Sequence, residues 1–256
     1  MSNNTYLELG PDVRVTPSGS PLSQTPRYSL PDGYLTVSPF YDLPSHETLL
    51  SETTGSVDWL WSGDDELRFE TTARQLIGCG LTVPEKPTPH GWSPGEWFEA
   101  PRTSTGIRRL SPNNFDCPPM AERWVSDTGD ALVCVPEDPP TPKKSLHRLN
   151  VGPDLDFVFV DGMYTGWLFR NPAHYLVHAW EQPPSHPVAE GSSLALRDYL
   201  LLFTESNVER MQDEDVHLLR ELDALRTRIA ALSVDPRNEV LRNHVTRLRE
   251  DWYSSS

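Results

Sequence analysis

One long period dominates the C-terminal quarter of the chain. Val208, Met211, Leu218, Leu222, Leu225, Ile229 and Leu232 alternate spacings of three and four once Asp215 is counted as a polar position, and Leu241, Val245, Leu248 and Trp252 continue the rhythm. Such spacing draws an apolar stripe along a helix and is the seam geometry of a coiled coil or helical hairpin. Upstream, Leu194, Leu196, Tyr199, Leu200, Leu201, Leu202 and Phe203 are apolar most of the way round, which predicts an end buried in a domain. A helix from Ser193 to Leu232 would be about 60 Å long at 1.5 Å per residue, and a rod of that length needs a partner. Asp235-Pro236 reads as an N-cap followed by proline at the first helical position, opening a second helix that ends near Trp252. The seven stripe residues are therefore the candidate partner-binding surface, for a second copy or for another helical protein. The competing reading is a stripe spent on the protein's own core.

From Glu122 the period changes to two. Arg123-Trp124-Val125 and Ala131 to Val135 flank a polar turn and predict one hairpin; Asp156 to Val160 and Met163 to Arg170 flank Asp161-Gly162 and predict another. Phe157 and Phe159 then face one side while Val158 and Val160 face the other, so this sheet needs cover on both faces. Earlier, Ser62-Gly63-Asp64-Asp65 reads as a capping box before a helix over Glu66 to Ile77, with Gly78 or Gly80 as its stop, after an ordered start at Val57 to Trp61. Between residues 83 and 119 the chain is dense in proline and tryptophan and predicts an ordered irregular loop carrying Trp92 and Trp97. Residues 1–55, broken by seven prolines from Pro11 to Pro44, predict a largely disordered leader. The expected fold class is α+β: a small antiparallel sheet domain over 56–190, a long C-terminal helix or helical hairpin over 191–256, and the leader.

Composition adds bounds. The net charge is −15, which disfavours nucleic acid and anionic lipid as general partners. Three cysteines without a CxxC pair indicate neither a disulfide framework nor a zinc ribbon and favour a reducing compartment. With no basic start followed by an apolar core in the first thirty residues, and no apolar run of spanning length, the expectation is an intracellular protein, cytoplasmic or nuclear.

Candidate chemistry is sparse, and no cofactor is expected. His174 and His178 stand four apart with Glu181 and His186 nearby, a clustering that metal binding uses, so they are the candidate metal ligands of an alternative, a small metal-dependent or hydrolytic enzyme that draws on the Trp92/Trp97 loop. Cys79, between two glycines, is a weak nucleophile candidate, and Asp64, Asp65 and Glu66 form a carboxylate run that a helix's first turn already explains. Eight Ser/Thr-Pro pairs, one of them Thr141-Pro142 before Lys143 and Lys144, give a third reading, a phosphorylation-controlled adaptor. With no nucleotide-loop or nucleophile-elbow motif, the leading expectation is a non-enzymatic interaction or assembly factor acting through its C-terminal helices.

Overall fold

The computed structural model describes residues 6–57, 63–140 and 145–253. In chain order its elements are β1 (Leu7–Gly10), β2 (Val13–Pro17), β3 (Arg27–Ser29), β4 (Tyr34–Val37), α1 (Leu43–Glu52), β5 (Thr53–Ser56), β6 (Glu66–Glu70), β7 (Leu76–Thr82), α2 (Gly95–Glu99), β8 (Arg102–Ser104), β9 (Ile107–Arg109), β10 (Glu122–Val125) and β11 (Ala131–Val135). Then come β12 (Leu146–Gly152), β13 (Leu155–Val160), β14 (Met163–Arg170), β15 (Leu176–Val177), α3 (Ser192–Leu202), α4 (Glu205–Gln212), α5 (Val216–Ala230) and α6 (Pro236–Trp252). Among the described residues the chain is mostly sheet, which overturns the expected small sheet domain with a long C-terminal rod. One mixed sheet has nine strands, running β8-β12-β13-β14-β1-β2-β9, with β11 joining β14 and β10 joining β11. The other has six, in the order β15-β3-β4-β7-β6-β5.

Both expected hairpins are present. The β13–β14 connection turns at Asp161 (φ 51°) and Gly162 (φ 89°), two positive angles in succession of the kind that Asp-Gly tolerates. Phe157 and Phe159 enter the main core, whereas Val158 joins Val133, Val135 and Leu168 in a second cluster on the opposite face. Trp97 from α2 closes that second cluster, with Trp92, Phe98 and Trp124 packed against it, so the tryptophan-rich loop covers the sheet.

Three expectations fail for identifiable reasons. The supposed leader supplies four strands, a helix and most of a fifth strand, β5: β1 pairs with β14, and β3 pairs with both β4 and β15, so the prolines fall between elements or at their ends rather than preventing them. Pro44 falls in the first turn of α1, where its missing N–H is no loss, behind a capping box between Asp42 and Ser45. The supposed helix over 66–77 is the pair β6/β7, because Glu66-Leu67-Arg68-Phe69 alternates with period two, Leu67 and Phe69 entering the core. Its expected Val57–Trp61 lead-in and the Ser62 cap fall partly outside the described residues.

The 60 Å rod is the third failure. It breaks at Thr204, whose hydroxyl caps α4 by accepting from the Asn207 amide, and again at Glu214 (φ 52°) and Asp215. Asp215, counted as a polar seam position, is the N-cap of α5 and accepts from the amides of His217 and Leu218. Asp235 and Pro236 do open α6 as the sequence indicates. The four C-terminal helices pack on one another and on the sheets, and the main apolar core runs through all of these layers. Among the described residues no helix is long and apolar enough to cross a membrane.

Candidate binding site

Strand alternation sorts the six-stranded sheet into two unlike faces. Tyr28, Leu35, Val37, Leu67, Phe69, Cys79 and Leu81 point into the core, leaving Arg27, Ser29, Tyr34, Thr36, Glu66 and Arg68 on the other face with Gly78 and Gly80. The register aligns Arg27 with Thr36, Thr36 with Gly80, and Gly80 with Glu66, so one straight row crosses four strands with a cation at one end and a carboxylate at the other. At ~4.8 Å per strand the end residues have backbones about 14 Å apart.

This polar face is nevertheless covered. Helix α1 lies over β6 and sets His46 Nε2 2.7 Å from Glu66 Oε2. The end of α1 is fastened by Arg68, whose guanidinium donates to the carbonyls of Leu50 and Thr53 at 3.2 and 2.9 Å and to the Thr53 hydroxyl at 2.8 Å. Gly80 is needed at its place in the row, since a Cβ there would lie 2.3 Å from the Tyr34 hydroxyl. Burial, followed by the nearby Glu66 and Asp65 carboxylates, pushes the Tyr34 phenol well above its ordinary pKa, so it stays a neutral hydroxyl.

The segment after β15 makes the opposite wall. Its Trp180 carbonyl accepts from Arg27 Nη1 at 3.1 Å, and its Glu181 carboxylate takes the amides of His178 and Ala179 at 2.5 and 2.9 Å, fixing the turn that presents the indole. Phe40 joins the two walls: its ring is 4.4 Å from His46, 5.2 Å edge-on from Trp180, and 5.0 Å below the Arg27 guanidinium. Between them is a cavity of about 400 Å³, lined by Arg27, Ser29, Tyr34, His46, Glu66 and Trp180 among others.

Arg27 and Glu66 line this cavity but are only 2% and 4% exposed, and their Nη2 and Oε1 atoms are closed to solvent and lack hydrogen-bond partners among the described residues. Burial lowers the Arg27 pKa, opposed by the Glu181 carboxylate. A buried polar atom left unpaired costs ~1–3 kcal/mol. The arrangement sets a guanidinium and a carboxylate among the residues of an aromatic-walled cavity.

The residues singled out from the sequence are distributed differently. Met211, Leu218, Leu222, Leu225 and Ile229 are each at most 1% exposed and belong to the main core, with Val208 and Leu232 part-buried. His174 packs edge-on against Tyr175, and His178 is exposed. Among the described residues no group of three or more His, Cys, Asp and Glu could hold a metal ion, so the two histidines are not drawn into one. The His178 carbonyl accepts from the hydroxyl of Ser29, a residue that lines the pocket, at 3.2 Å. Trp92 and Trp97 lie in the separate outer cluster. Cys79, Cys117 and Cys134 are all buried free thiols whose pKa values burial drives far up, which removes them as nucleophiles. Asp65 and Glu66 point to opposite faces of the sheet. Ser38 of the Ser/Thr-Pro pairs is buried, while Thr141, Lys143 and Lys144 fall outside the described residues.

Arg27, His46 and Glu66 were not evident as a group in the sequence. The available signal was the charged residues alternating with apolar ones in Glu66-Leu67-Arg68-Phe69. Fold and site together define a two-sheet protein with a packed helical end and a covered polar pocket on one sheet face. Compared with known proteins, the chain matches no family model, no curated protein and no solved structure.

Proposed function

We propose that the protein is a non-enzymatic binding protein whose recognition site is the pocket between β3, β6, α1 and Trp180. The observation that carries this reading is a single aromatic-walled cavity of about 400 Å³ whose lining includes both Arg27 and Glu66. Binding is the reading taken because none of the three buried thiols is poised to attack. An intracellular, reducing setting goes with three free buried cysteines.

The test is a fragment screen by amide chemical shifts on the full chain. Charged and polar fragments are expected to perturb the amides of Ser29 and Gly80 and the Trp180 indole, and Trp180→Ala is expected to weaken those fragments at least tenfold, about 1.4 kcal/mol. A screen in which no fragment perturbs these signals, or in which the variant binds as well as the parent, overturns the reading.

Assembly through the C-terminal helices is a second reading, with a different surface from the stripe. Leu194 and Leu201, seven apart on α3, are each 49% exposed. Light scattering across a dilution series tests it: a second copy docked there gives a mass that falls on dilution and is monomeric throughout in Leu201→Asp. A constant monomer mass in the parent removes self-association.

A further inference from the structure

A ligand entering the cavity meets first the side chains that solvent already reaches. We infer that the pocket takes a small amine carrying an apolar body; this rests on the reading of the pocket as a binding site.

Among the described residues that line the cavity, three are exposed: Asp32, Leu43 and Trp180. Two of these are apolar, at 59% and 38% exposure, and the third is a carboxylate. Arg27 and Glu66 are buried and held from within, the guanidinium by the Trp180 carbonyl and the Phe40 ring, the carboxylate by His46. Their opposite charges leave Asp32 to set the sign that a ligand finds on the open side. The half-buried hydroxyls of Tyr34 and Thr36 can donate or accept, so they do not select ligand charge.

Asp32 lies in the turn between β3 and β4, its Oδ2 accepts from the Ser29 hydroxyl at 2.6 Å, and no ion pair among the described residues engages it. It also lines an adjoining cavity of about 620 Å³, whose other exposed charged side chains are Glu85, Asp251 and Arg247. Arg247 is 3.6 Å from Asp251, so carboxylate is in surplus on that side too. A carboxylate ligand enters against this field, whereas an ammonium is drawn by it and by the net charge of −15. An exposed ion pair alone is worth little, so the apolar body carries most of the affinity, against Leu43 and the Trp180 indole.

The experiment is a titration of the intact protein followed by amide chemical shifts, with 2-phenylethylamine, 2-phenylethanol, phenylacetate and methylamine. The first three keep the ring and change the charge; methylamine keeps the charge and drops the ring. 2-Phenylethylamine is expected to bind about threefold more tightly than the alcohol and about tenfold more tightly than phenylacetate, with methylamine weakest and the advantage over the alcohol shrinking as salt is added. Asp32→Asn is expected to remove the amine's advantage while leaving the alcohol's affinity unchanged. Circular dichroism of the variant separates lost binding from lost folding, and the ranking on the parent stands without it. The alcohol or phenylacetate binding as tightly as the amine, or a folded Asp32→Asn that keeps the full advantage, overturns the amine and leaves the pocket reading intact. Methylamine matching 2-phenylethylamine overturns the apolar body. If none of the four binds while other fragments still perturb Trp180, the amine again falls alone; silence in both experiments removes the pocket as well.

Discussion

Leu222→Ala is expected to lower folding stability by about 2–5 kcal/mol, with the same shift in urea midpoint at high and low protein concentration. Leu222 is 1% exposed and sits on α5 in the main core with Leu218, Leu225 and Ile229, beside Leu241 and Val245 of α6. Removing three buried carbons there takes away transfer free energy and leaves a cavity that helices tied at Asp215 and Asp235 cannot close fully. A seam filled by a partner behaves otherwise, because its contribution scales with the concentration of the complex. A midpoint shift confined to concentrated protein would return the stripe to an intermolecular role.

The second large effect is one of pH. Asp65 is fully buried; its Oδ1 accepts the Thr82 amide at 2.7 Å and its Oδ2 has no partner among the described residues. Burial raises its pKa to about 7, opposed by the hydrogen bonds from Thr82, while its surroundings include the buried thiols of Cys79 and Cys117. The folded-state pKa thus lies above the unfolded one, so the folded chain holds a proton that the unfolded chain releases. The resulting stability is fully present below about pH 4 and is lost as pH rises through about 7, a change on the order of 4 kcal/mol.

His244 acts in the opposite direction. Burial and then Arg247 lower its pKa to about 4, against the pull of Asp32, so its share of stability is present above about 6.5 and lost as pH falls through 4. The parent's profile therefore mixes the two, and the difference between parent and Asp65→Asn isolates the carboxyl. The variant is expected to match the parent near pH 4 and to exceed it in urea midpoint by pH 8. A difference that stays flat across that range would show that Asp65 is not held protonated by burial.

The sequence located some elements because their signals are local. Asp161-Gly162 fixes a hairpin through two positive φ angles, and Asp235-Pro236 starts a helix through one cap and one fixed φ. Thr204 and Asp215 carried equally local cap signals, but a continuous three-four rhythm masked them, since a period reports which side is apolar and not where the backbone turns. The pocket was legible only as scattered charges: Arg27, His46 and Glu66 come from three different elements, and the Gly78-Cys79-Gly80 run that suggested a helix stop is the flat floor beneath Tyr34 and Ser38.

Taken alone, the sequence determined the Asp161-Gly162 turn, the Asp235-Pro236 helix start, the two-residue period of the central hairpins and the existence of an apolar stripe on the last helices. Tertiary structure decided what covers that stripe, made strands of the proline-rich beginning, and brought a guanidinium and a carboxylate to the ends of one row. The reason is range. Strands of three to five residues such as β1 and β3 gain their hydrogen bonds from β14 and β15, far along the chain, and no short window of residues records a partner that only folding supplies.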